Sequence, residues 1–277
     1  MDKCKNIFYS TGCLIGSLDD RIKQWKLEGK NNIEISFPYY QERVSEYLQY
    51  QKEKYNLRFL IHNYLAFDRY EFVLNLGSLN SDIYARSLQT AKWAIKLTNT
   101  LGEKHYSLHT PFLFDPVISK LGKTFQNQKL YSKDLVLDRF NDGVYELERF
   151  ARELEVELLF ENNVLTRANY EAFQGNPLIF SSLNDIDEVL SIFDQHKVGI
   201  LLDIGHLRVS AETLKFEKYE FAEKCGHRVR GLHISSNDGY SDQNYMPRKF
   251  DMYEHKLIEK VDFASFEVLI ESYQKGG

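Results

Sequence analysis

Three observations predict an α/β chain closed into a (β/α)₈ barrel. Short apolar runs alternate with amphipathic stretches along the chain. No glycine-rich phosphate turn follows the first run, where the sequence reads TGCLIGS, so a nucleotide-binding open sheet loses its main support. Ionisable residues recur at the carboxyl ends of successive runs, where a barrel gathers its active site. The chain has 277 residues, and such a barrel takes about 250.

The runs expected as strands are Asn6–Ser10, Asn32–Ser36, Leu57–Asn63, His105–His109, Val156–Glu161, Val198–Asp203 and Val229–Ile234. Each is short and mostly aliphatic or aromatic, as suits parallel strands buried on both faces. Helices are expected between them. Ser17–Glu28 opens on a serine cap with two aspartates in its first turn. Ser81–Leu101 stops at Gly102, a C-cap signal. Asp138–Leu154, Ser182–His196, Phe216–Cys225 and Phe263–Gln274 have the same spacing. Glu71–Asn80 reads as a loop into a helix capped between Ser78 and Asp82. Tyr106–Leu137 is the longest weakly patterned stretch and is expected to form a loop over the site. With no linker or composition break, residues 1–277 form one domain.

Composition narrows the classes further. Apolar residues make up 43% of the chain, enough for a sizeable core. Net charge is 35 − 40 = −5, which argues against non-specific nucleic-acid binding, since that needs a basic face. Cys4, Cys13 and Cys225 are odd in number and lack CxxC spacing, so no disulfide framework is expected. No run approaches the roughly 18 apolar residues of a membrane span. The expectation is a soluble cytoplasmic protein with no membrane partner.

The strand ends carry the chemistry. The second run holds Glu34; the third ends in His62, the fourth in His109 and the fifth in Glu161. The sixth gives Asp203 and then His206, and the seventh gives His233. One histidine or carboxylate at a strand end is ordinarily structural. Four histidines and two acids at one register point of consecutive strands converge on a single cup, where unpaired charge is costly. A divalent cation resolves that cost, because imidazole and carboxylate are good ligands for Zn, Mn, Co or Fe. In Asp203-x-x-His206, Gly205 is expected to turn the chain so that both side chains face the cup. Arg230 and Arg248 are candidates for holding a phosphate or acid group, and Glu34 for touching substrate. Phe37–Tyr40 offers rings for stacking on a sugar. His105, His196, His227 and His255 stand outside the pattern and are expected on the surface.

The series LIHNY, SLHTP, LLFENN, LLDIGH and GLHISSNDG resembles the xylose-isomerase-like TIM-barrel superfamily over nearly the whole chain, most specifically from Glu161 to Asp238. That group includes sugar-phosphate isomerases and epimerases and the endonuclease-IV type of apurinic-site nuclease. In the epimerase branch one metal is held by Glu, Asp, His and a final Glu. The resemblance implies that Glu161, Asp203 and His233 are the first three, with His206 touching substrate or a second metal. In the nuclease branch, His62 and His109 match ligands of a multi-metal cluster.

Two departures stand out. Asn244 occupies the place of a nuclease-type histidine in Asp242-Gln243-Asn244. The eighth strand and its final carboxylate are also missing from the runs identified. The chain is then truncated, or Glu254 or Glu34 substitutes, or the protein is not catalytically ordinary. A missing strand leaves two open edges, which invite a second chain and make a homo-oligomer one outcome.

The resemblance implies a divalent-metal-dependent isomerase or epimerase of a sugar or sugar phosphate, working through an enediolate on a small carbohydrate substrate. Glu161 would be the base and His206 would orient a hydroxyl. The alternatives are a metal-dependent phosphodiesterase on DNA and a non-catalytic ligand-binding barrel.

Overall fold

Eight parallel strands pair in sequence order and close on themselves in this computed structural model. They are β1 (Asn6–Ser10), β2 (Asn32–Ile35), β3 (Arg58–His62), β4 (His105–His109), β5 (Glu157–Glu161), β6 (Gly199–Asp203), β7 (Val229–Ile234) and β8 (Val268–Glu271). The helices are α1 (Leu18–Leu27), α2 (Val44–Tyr55), α3 (Ser81–Thr100), α4 (Lys133–Glu153), α5 (Arg167–Phe173), α6 (Ile186–His196), α7 (Ile204–Leu214), α8 (Lys218–Cys225) and α9 (Met252–Lys260). The structure describes residues 6–63, 65–66, 69–70, 72–125, 128–245, 252–260 and 268–271; of the last two segments, some are described by backbone alone.

All seven expected strands form, within a residue or two at each end. The expected helix over Phe263–Gln274 does not: β8 lies inside that segment. It pairs with β1 from Asn6↔Val268 to Tyr9↔Glu271, and with β7 from Gly231↔Val268 to Ile234↔Glu271. The barrel therefore has its eighth strand, and the open edges expected from a missing one do not exist. The misreading has a physical source. Phe263, Phe266, Val268, Leu269 and Ile270 satisfy both a helical stripe and a short buried strand, which periodicity does not separate over so short a run.

Strand pleating divides the core in two. One set of side chains, including Ile33, Ile35, Phe59, Ile61 and Phe160, packs outward under the helices in the main apolar cluster. The alternate set, Phe8, Leu60, Leu159, Leu201 and Ile270, fills the barrel interior. A further cluster of Phe112, Phe114, Phe125, Phe173, Leu165 and Leu178 lies under the long connection after β4, the segment expected to cover the site.

Local signals place the helices. Ser17 and Asp20 form a capping box at α1, and the Asn80 side chain accepts from the backbone N–H groups of Asp82 and Ile83 at α3. Among the described residues no helix is long and apolar enough to cross a membrane. Of the histidines expected on the surface, His227 is exposed but His105 and His196 are buried. His105 Nε2 lies 3.4 Å from Glu157, and His196 Nε2 meets the Asn141 amide oxygen at 2.8 Å. The side chain of His255 lies outside the described residues, as does Cys4.

Candidate metal centre

Each of the first seven strands delivers a polar side chain to the inside of its carboxyl end. Ser10, Glu34, His62, His109, Glu161, Asp203 and His233 all line one cavity of about 560 Å³. The pleat explains the delivery: Ser10, His62, Glu161 and Asp203 each follow by two residues an apolar side chain that the strand sends into the interior, namely Phe8, Leu60, Leu159 and Leu201.

Glu161 is the centre of the group and is 1% exposed. Its Oε1 lies 2.9 Å from His233 Nδ1 and 3.5 Å from His206 Nδ1. Its Oε2 faces His62 Nε2 at 3.2 Å and His109 Nε2 at 3.3 Å. Two donor sets share this carboxylate. Glu161, Asp203 and His233 have ligand atoms mutually within 4.8 Å, and so do His62, His109 and Glu161.

Asp203 and His206 are fixed by helix geometry. The Asp203 side chain caps α7, its Oδ1 accepting from the His206 backbone N–H at 2.7 Å. That leaves Oδ2 facing His233 Nδ1 at 3.5 Å and His206 Nε2 at 3.6 Å. The helix starts at Ile204, so Gly205 makes no turn there, contrary to the expectation. Its need is space: a Cβ at Gly205 would stand 2.5 Å from Ser235 Oγ. Asn162 holds the Asp203 backbone on both sides, accepting from its N–H at 2.8 Å and donating to its C=O at 3.0 Å.

The electrostatics split the histidines. Burial pushes His109 down to about 3 and lowers His62 as well, so both present neutral nitrogens. Burial acts the same way on His206, but Asp203 and Asp242 outweigh it and raise His206 to about 10. Glu34 and Glu161 likewise outweigh burial at His233 and raise it. Burial opposes ionisation of Glu161, yet His109, His233 and His62 hold its carboxyl well below the usual range. Positive charge is what this carboxylate layer calls for, and protonated imidazole is one way to supply it. A divalent cation is the other, and the donors fit one. Buried Glu161 Oε2 makes no hydrogen bond although two imidazole nitrogens face it, and buried Asp242 Oδ1 makes none either.

The other predicted residues fall as follows. Glu34 sits in the cup, its Oε2 2.8 Å from His233 Nε2. Arg230 does not reach it. As the second residue of β7 it lies at the opposite end of the barrel, with Nε 3.5 Å from Glu157 and an N–H donated to the His227 carbonyl. Three residues of strand, about 10 Å, separate it from His233. Arg248 and the Glu254 side chain lie outside the described residues. Of Phe37–Tyr40, Phe37 is buried and only Pro38 lines the cavity, while Tyr39 and Tyr40 are exposed.

Sequence reasoning passed over Ser10 and Ser107, the latter 2.9 Å from His62 Nδ1, and the bracing by Asn162. It noted Asp242 only for the motif around it. Asp242 Oδ2 lies 3.6 Å from His206 Nε2, and Asn244 lines the same cavity. The doubled asparagine after Glu161 was the available signal for Asn162; a serine two residues from a strand end gives none.

Solved structures share the fold at low identity. A D-tagatose 3-epimerase-like protein superposes with a TM-score of 0.72 at 16% identity, covering 97% of this chain and 90% of its own. An L-ribulose 3-epimerase gives 0.66 at 12%, covering 98% and 82%. A protein described as AP endonuclease, family 2, from Brucella melitensis gives 0.64 at 13%, covering 98% and 94%. Comparison with curated proteins gives no match. The model of the xylose isomerase-like TIM barrel family matches residues 25–271, and the chain belongs to that family.

Proposed function

We propose that this chain is a divalent-metal-dependent isomerase or epimerase acting on a small carbohydrate, a sugar or sugar phosphate. The observation that carries the reading is the set Glu161, Asp203 and His233, with ligand atoms within 4.8 Å of one another at the base of a cavity of about 560 Å³. The epimerases among the structural neighbours agree with it. Those three side chains would hold the ion (Mn, Co, Zn or Fe). When bound, it supplies Lewis-acid stabilisation of the negative charge that develops on two neighbouring substrate oxygens as a proton leaves carbon.

The chain's own residues do the rest. Glu161 presents a carboxylate to receive that proton. His206, its Nδ1 fixed 3.0 Å from the Asn162 carbonyl, turns Nε2 to a substrate hydroxyl. Phe112, Leu121, Phe125 and Leu178 form an apolar wall on the cavity that excludes water from the proton transfer. Among the described residues lining the cavity, Glu34, Glu161, Asp203 and Asp242 stand against one lysine, Lys123. That balance favours a polyhydroxy compound over a long polyanion.

One observation favours a second reading. His62, His109 and Glu161 form an adjoining donor set, and two ions side by side suit a phosphodiesterase. The discriminating experiment incubates the Mn- or Co-loaded protein with ketopentoses, ketohexoses and their phosphates in D₂O. Loss of a carbon-bound proton signal by NMR, with an epimer or aldose appearing, is the expected result. Cleavage of abasic-site DNA with no exchange in any sugar overturns the first reading for the second. We place the activity in the cytoplasm, on the cysteine usage and the lack of apolar spans in the sequence.

A further inference from the structure

We propose that Glu34 is a positioning residue for the metal centre: it accepts a hydrogen bond from the outer ring N–H of His233, so that the inner nitrogen faces the cation. The proposal rests on the metal reading above. Its basis is the way two carboxylate groups divide one imidazole. Nδ1 of His233 faces Glu161 at 2.9 Å and Asp203 at 3.5 Å, whereas Nε2 faces Glu34 at 2.8 Å. The two nitrogens of an imidazole point away from each other, so a group on Nε2 does not share the ion held at Nδ1. With Nδ1 ligating, the single remaining proton sits on Nε2 and needs an acceptor. Glu34 is that acceptor.

Glu34 is built for the role. It is 1% exposed, and its other oxygen accepts a 2.6 Å hydrogen bond from Ser10 on the neighbouring strand. The register Ser10↔Glu34 sets these two residues side by side. The contacts with His233 at 2.8 Å and with the Ser10 hydroxyl together offset the cost of burying the carboxylate. A carboxylate behind a ligating histidine fixes the ring's tautomer and orientation and raises its basicity. Here the device comes from β2, on the far side of the barrel wall from β6 and β5, the strands of the other two ligands. The rival arrangement makes Glu34 itself a ligand with His62 and His233, whose donor atoms also lie within 4.8 Å.

The test titrates the metal-free full chain with Co²⁺ against a competing chelator and records the visible absorption of the bound ion. Wild type, Glu34→Gln and Ser10→Ala are compared, with circular dichroism as the check on folding. The expected result is that Glu34→Gln keeps the number of ions bound and the shape and intensity of the Co²⁺ bands, with affinity about 10–100-fold weaker. Ser10→Ala should show the same bands and a smaller loss, and decides the matter should Glu34→Gln fail to fold. Unchanged affinity in both variants overturns the proposal. A changed band intensity in Glu34→Gln, or in Ser10→Ala if only that folds, marks loss of a ligand and overturns it in favour of direct coordination. Failure of the wild type to bind Co²⁺ overturns the metal reading itself, a different and separable outcome.

Discussion

Two layers of the barrel interior lie a single pleat apart and are chemical opposites. The lower holds Phe8, Leu60, Leu159, Leu201 and Ile270. The upper holds, on the same first four of these strands, Ser10, His62, Glu161 and Asp203, together with Glu34, His109 and His233 from the strands between. About 6.6 Å of strand separates the layers. The lower layer is what makes the upper one effective: it is a dry floor in which charge is poorly screened, so every carboxylate above it must find a cation. One layer contributes stability; the other spends part of that stability on a site poised for an ion.

If that division is right, substitutions in the two layers should fail in different assays. The largest effect is expected in the upper layer. Glu161→Gln removes the carboxylate shared by both donor sets and should weaken ion binding more than about 100-fold, beyond the range typical of an outer partner. Isothermal titration with Mn²⁺ or Co²⁺ measures it, and near-wild-type affinity would remove Glu161 from the centre. In the lower layer, Leu201→Ala should cost about 2–5 kcal/mol of unfolding free energy, through lost burial and the cavity left behind. Urea denaturation reads that cost, while ion affinity in the folded fraction should stay close to wild type. An affinity loss as large as that of Glu161→Gln would break the division.

The smallest effect lies outside both layers and serves as a control on pH. Asp185 is 4% exposed; burial pushes its carboxyl up to about 6, against hydrogen bonds from the Phe180 N–H and the Ser182 hydroxyl. A carboxyl that holds its proton more tightly folded than unfolded stabilises at low pH, and that stability fades as pH rises through about 6. Wild type should therefore lose about 1–3 kcal/mol relative to Asp185→Asn between pH 4 and pH 8. Unfolding curves for both proteins at those two pH values check it. A difference that does not change with pH would show that Asp185 ionises freely.

What was legible in the sequence follows the same physics. Strands buried on both faces announce themselves as short apolar runs, and seven of eight were readable for that reason. The cup was readable because its residues break those runs at a fixed place. Height along a strand was the hidden quantity for Arg230: three positions before His233 in sequence is the far end of the barrel in space. Helix α2 carried no readable stripe, since only Val44, Leu48 and Gln51 of its twelve residues are buried. Asp203-x-x-His206 was found as a pair, but its geometry comes from a helix cap, and spacing alone does not distinguish a cap from a turn.

The closure of β8 onto β1 sets a schedule for folding. Asn6 pairs with Val268, and His233 meets Glu34 across 199 residues. A ribosome adding about 5–20 residues per second holds the first strand for tens of seconds before its partner exists. Through that interval β1 has an unsealed flank, and the carboxylate of Glu34 awaits its imidazole. Barrel sealing thus waits until β8 has been made, and a chain arrested before β7 would emerge with the cup lacking His233 and the barrel unclosed.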